Sequence, residues 1–188
     1  MGLWEVVRAR SRPKRNNLDA LFLVPTAAIT LQTAAGIAPT GTGAVCYRAA
    51  SGAGFAQTQQ EITDLVATEG RPVTTITDEF GFTWLVLQGD PQDLSQLCTD
   101  LHAANTTLEL QGFASGLLCS TVNFSAPGGQ PVALVYLYKQ GTFYPFAPRP
   151  GRERDNLLEL AVRDHLAAEL PMETDLQRWM AVWDAPGL

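Results

Sequence analysis

The sequence predicts an α+β fold: a mainly antiparallel sheet of about five to six strands flanked by helices. Three observations carry this. Leu117–Phe124, Val132–Tyr138 and Thr142–Phe146 are apolar, β-branched or aromatic runs separated only by the turns Pro127-Gly128-Gly129 and Lys139-Gln140-Gly141, so they read as consecutive antiparallel strands. Three other stretches repeat apolar residues at three- and four-residue intervals, the signature of a helix packed on one side. With 46% hydrophobic and 17% charged residues over 188 positions, the chain can bury a full core, so one domain suffices.

Residues 1–15 stand apart as a basic N-terminal arm, and 16–188 form the predicted α+β domain. The arm carries Trp4, Arg8, Arg10, Arg12, Lys14 and Arg15 against the single acid Glu5, a local balance of +4. Such an arm is a docked or disordered terminus, or it meets an acidic partner or anionic lipid, with Trp4 at headgroup level. Asn16–Ala35 then reads as helix interrupted at Pro25, with Asn16 or Asn17 as cap. Pro39–Gly43 reads as a loop and Ala44–Ala49 as a short strand. Gly52–Gly70 has helical spacing, with Phe55, Ile62, Leu65 and Val66 inward and Gly70-Arg71-Pro72 as the stop.

Val73–Thr77 and Gly81–Gln88 are strand-like. In the second, Phe82, Trp84 and Val86 share one face and Leu85 and Leu87 the other. Asp90–Phe113 is read as a helix capped by Asp90, with Pro91 at its first position. After the three consecutive strands, Asn156–Leu170 forms a last helix, and Asp175–Trp183 adds a turn that packs Trp179 and Trp183.

Charge and composition narrow the function. Outside the arm the balance is −10, which disfavours nucleic acid, because phosphate contacts need Lys and Arg. Cys46, Cys98 and Cys119 are odd in number, lack CxxC spacing and sit in apolar runs, so buried free thiols are expected. No cofactor or metal site is expected either, since His102 and His165 are the sole histidines and the phosphate-loop and GxSxG patterns are missing. His102 beside Asp100 is the one candidate general base, which would make the protein a small-molecule enzyme. A histidine at the edge of an apolar stripe more often serves structure, and no enzyme is expected. The remaining cluster is Tyr138, Lys139, Phe143, Tyr144 and Phe146. It is either core plus hairpin surface or an exposed aromatic platform that docks a partner.

The chain also resembles a known family. The stretches MGLW at 1–4, NLDALFLVPTAAI at 17–29, GFTWLVL at 81–87, TDLHAANTT at 99–107, ALVYLYKQGTFYPFAP at 133–148, RDNLLEL at 154–160 and VWDAPGL at 182–188 look like those of PspAB, the PspA-associated protein B family. The resemblance implies a non-catalytic accessory or adaptor protein of the PspA envelope-stress (phage-shock) response. Its implied partner is a PspA-type coiled-coil protein. The expected location is cytoplasmic, peripheral on the inner membrane if the arm meets lipid; a membrane-surface sensor working alone through the arm is the other non-enzymatic alternative. In element order the chain is similar to the helix-flanked sheets of secretion-chaperone-like proteins, a likeness of fold and not of function.

Overall fold

A computed structural model describes residues 17–67 and 71–188, so the arm, with Trp4, Arg8, Arg10, Arg12, Lys14 and Arg15, and the Gly70 stop lie outside the described residues. The chain begins with a 3-10 turn, Leu18–Leu23, that runs into α1, Val24–Ala35. Pro25 sits in the first turn of α1, where its missing N–H costs nothing, so the predicted interruption becomes a change of helix type. Gly36 closes α1 in the left-handed conformation at φ 65°, which glycine adopts without a Cβ penalty.

The strands of the main sheet are β1 Ala38–Tyr47, β2 Thr74–Thr77, β3 Thr83–Gln88, β4 Leu117–Ala126, β5 Gln130–Leu137 and β6 Thr142–Phe146, and Pro148–Arg149 pairs separately with Glu153–Arg154. β1 to β6 form one six-stranded antiparallel sheet in the order β2-β3-β1-β4-β5-β6. Helices α2 (Ala53–Val66), α3 (Ser95–Leu110) and α4 (Asn156–Leu166) complete the set with α1. This is the predicted α+β architecture, with six strands and no closed barrel.

Three boundaries differ from the sequence reading, each for a physical reason. The stretch 39–43 is strand and not loop, because β1 pairs with β4 across a bulge between Pro39 and Gly43; the bulge absorbs the glycine-rich sequence. Helix α3 starts at Ser95 and not Asp90. The Asp90 and Asp93 carboxylates accept hydrogen bonds from the Gln92 and Ser95 amides, and these local turns compete with helix. Leu65, expected inward, is 61% exposed, while Phe55, Ile62 and Val66 carry the contact of α2.

The sheet separates two apolar layers. Its helix side buries Val45, Leu85, Leu87, Phe124, Leu134, Tyr136 and Phe143 against α1 to α4. The opposite side buries Ala44, Cys46, Trp84, Cys119, Val135, Tyr144 and Phe146 beneath Trp179 and Ala185. The cover there is the C-terminal stretch 171–188, which has almost no regular structure. It is anchored by hydrogen bonds from the Phe143 amide to the Pro171 carbonyl at 2.9 Å and from Asn123 Nδ2 to the Pro186 carbonyl at 2.7 Å. The predicted split of β3 holds: Leu85 and Leu87 face the helices and Trp84 the tail.

Candidate functional site

The aromatic hairpin is not an exposed platform. Tyr138, Phe143, Tyr144 and Phe146 are each no more than 2% exposed, and only Lys139 at the turn reaches solvent. The reason is that both faces of the hairpin are covered. Tyr138 and Phe143 point to the helix layer, Tyr144 and Phe146 to the tail. Tyr144 stacks on Trp179 with ring centroids 6.0 Å apart and donates its hydroxyl to the Met180 carbonyl at 3.0 Å. Phe146 meets Trp183 edge-on at 5.0 Å. Aromatic density here measures burial.

The His102–Asp100 pair does not form. Two residues apart on α3, the side chains diverge. Asp100 is held by Arg71 Nη1 at 3.0 Å and by Gln96 Nε2 at 2.8 Å. His102 instead meets Asp19 Oδ1 at 3.1 Å through Nε2, lies 3.4 Å from Thr106 Oγ1 through Nδ1, and stacks on Phe22 at 4.6 Å. Its role in the structure is to fix the first 3-10 turn on α3. His165 is exposed on α4. Among the described residues, no three His, Cys, Asp or Glu side chains gather as a metal site would require.

All three cysteines are buried free thiols. Cys46 and Cys119 face each other across β1 and β4. The hydrogen bond between them, and then burial, push the Cys46 thiol far above its ordinary value. Burial pushes Cys98 up to about 12. Neither is a thiolate near neutrality, so neither is a ready nucleophile.

Beneath the tail lies a charge network that holds the second layer in place. Glu159, 2% exposed, accepts from Arg154 Nε at 2.9 Å and from the Ala147 amide at 2.9 Å. Arg154 also donates to the Trp179 carbonyl and lies 5.1 Å over the Phe146 ring. Asp155 caps α4 through the Leu158 amide. Burial acts to raise the Asp155 carboxyl, but that amide, Gln130 and the Arg149 guanidinium hold it below its ordinary value. Glu173 is likewise held down, against burial, by the Asp175 amide, Thr142 and Arg178.

Two surfaces stand out among the described residues. One is the outer side of the first 3-10 turn and of α1. From Ala20 to Tyr47 no residue is charged. Phe22, Leu23 and Ile29 are 46%, 45% and 64% exposed, and Thr26, Ile29 and Thr33 share an outward face at helical spacing. The inner side, Val24, Ala27, Ala28 and Leu31, is buried in the core. The stretch Leu18–Ala35 has the length and apolarity of a membrane-spanning helix, with a mean hydropathy of 1.4; that inner contact makes it a core helix here. Sequence reading passed over this face, although the charge-free run was visible in it. The second surface is a cleft of about 340 Å³ between the tail and the sheet, lined by Phe82, Trp84, Leu118, Cys119, Met180 and Trp183, among others.

A family model, PspAB, described as PspA associated protein B, matches residues 1–187. No curated protein and no solved structure matches the chain, so the likeness of element order to secretion chaperones stays an expectation.

Proposed function

We propose a function from one premise: the chain belongs to the PspAB family, PspA associated protein B, across essentially its whole length. The protein acts as a non-catalytic accessory or adaptor of the PspA envelope-stress response. It binds a PspA-type coiled-coil partner in the cytoplasm. The observation that carries the reading is the outer face of α1. A solvent-facing helix surface ordinarily carries charge, and this one presents Phe22, Leu23 and Ile29 within a run that has none. A helical partner packs on such a face by laying its own apolar stripe along it at 8–10 Å between axes.

This reading moves the docking surface away from the hairpin aromatics, which have no accessible area to offer. The test is co-purification with PspA from cells. A Phe22→Asp, Ile29→Asp double variant loses PspA while keeping its fold, and retention of PspA by that variant would count against the α1 surface.

A second reading is favoured by the position of the arm. Arg8, Arg10, Arg12, Lys14 and Arg15 precede Phe22 and Leu23 by a few residues in the sequence, and basic residues followed by apolar ones are a composition suited to the surface of an anionic membrane. Each cation adds about 1 kcal/mol there. In this reading the arm attaches the complex peripherally to the inner membrane. Flotation with phosphatidylglycerol vesicles checks it: replacing the five cations with Gln abolishes flotation, and unchanged flotation removes the arm from the account.

A further inference from the structure

We infer that the cleft between the sheet and the tail is a binding site for a single-chain amphiphile with a monoanionic head, a fatty carboxylate. The walls are apolar: Phe82, Trp84, Leu118, Leu137, Val182 and Trp183. A volume of about 340 Å³ lies at the small end of ligand pockets, which run from ~300 to ~1,000 Å³. A helix ~10 Å across does not enter such a space, and a slim chain does. The mouth is apolar too, with Phe80 62% and Met180 63% exposed.

Charge at the mouth selects the head group. Asp78 lines the cleft, but its carboxylate already accepts from the Phe80 and Phe82 amides at 3.0 and 2.9 Å and from Trp84 Nε1 at 2.9 Å. Asp184 is 3.7 Å from Arg152, which also binds Glu79. Lys139, also on the lining, is exposed and has no carboxylate within ion-pair distance among the described residues. On the lining, Lys139 is therefore the cation without a carboxylate partner, while Asp78 has its acceptor sites filled by neutral donors and Asp184 shares Arg152 with Glu79. A single ammonium suits one carboxylate. The forked donors that hold a phosphate bidentately would come from an arginine, and Arg152 is already occupied. The site is independent of α1 and of the PspA reading.

The cleft carries its own reporters, Trp84 and Trp183. Titration of the full chain with bromododecanoate quenches tryptophan emission saturably, at concentrations below those at which the chain forms micelles. Lys139→Glu, a change at an exposed turn, weakens binding about fivefold, the most that an exposed ion pair supplies. Leu118→Phe narrows the cleft and weakens it further, with an unchanged circular dichroism spectrum. A dodecyltrimethylammonium competitor displaces the bromo acid more weakly than dodecanoate does. Absence of a saturable quench overturns the proposal. So does a quench indifferent to both Lys139→Glu and head-group charge, which would mark an apolar void without recognition. A protein dimer in sedimentation whose formation excludes the bromo acid would assign the cleft to a second copy instead.

Discussion

The β5–β6 hairpin and the outer face of α1 hold similar side chains in opposite surroundings. In the hairpin, Tyr138, Phe143, Tyr144 and Phe146 are enclosed by helices on one side and by the tail on the other. On the first 3-10 turn and α1, Phe22, Leu23 and Ile29 face outward within a run, Ala20 to Tyr47, that has no charged residue. A concentration of aromatic residues in this hairpin, at one edge of the sheet, marks where the core is. The proposed binding face is picked out by a missing feature, the charge that a solvated helix face would carry. The two regions should therefore answer mutation in opposite ways, one in stability and the other in association.

The largest effect on stability is expected in the hairpin. Tyr144→Ala removes a buried ring, its stack on Trp179 and the anchor to Met180, and should cost about 3–5 kcal/mol in chemical denaturation. A cost below about 1 kcal/mol would mean that the tail does not close over the hairpin as described. Next comes the network beneath the tail. Arg154→Ala leaves the Glu159 carboxylate buried without its counter-ion and should cost about 3 kcal/mol. Glu159→Gln, which keeps the hydrogen-bond acceptor for Ala147, should cost less.

The pH response follows from the same side of the molecule. Asp155 and Glu173 are held below their ordinary values. Their contribution is fully present above the unfolded values, about 4 for each, and is lost as pH falls through the lower folded ones. Thermal stability should thus fall steeply below about pH 4. An Asp155→Asn, Glu173→Gln variant should show a flatter acid limb; Asn still caps α4, so the neutral-pH cost at Asp155 is the ion pair with Arg149, about 1 kcal/mol at most. The smallest stability effect belongs to the outer face of α1: Ile29→Asp should stay within about 0.5 kcal/mol of the parent, and Phe22→Asp, which loses the stack on His102, should cost about 1 kcal/mol.

Much of the fold was legible because local and tertiary preferences agree. Pro25 marked the change from 3-10 turn to α1, Gly36 its end, and the alternation in β3 correctly divided Trp84 from Leu85 and Leu87. The consecutive strands from Leu117 to Phe146 were read from their turns alone. Two of the failures, 39–43 and the hairpin aromatics, share a cause: the deciding partner was distant in sequence. The stretch 39–43 becomes strand only because β4 lies beside it. Asp90 resembled a helix cap, but its carboxylate closes a turn with Gln92 before the helix starts. Burial of Tyr144 and Phe146 depends on a tail more than thirty residues later, which no periodicity within the hairpin encodes. Trp179 and Trp183 were expected to pack; the surface they pack on was not readable.

The α1 surface is the central claim, and a binding titration of purified PspA tests it most directly. Wild type and the Phe22→Asp, Ile29→Asp variant are compared with Tyr144→Leu, which keeps a large apolar side chain in the hairpin core. The account predicts that the α1 variant weakens binding at least tenfold, while Tyr144→Leu binds like the parent at temperatures where it is folded. Unchanged affinity in the α1 variant, with loss in folded Tyr144→Leu, would contradict it.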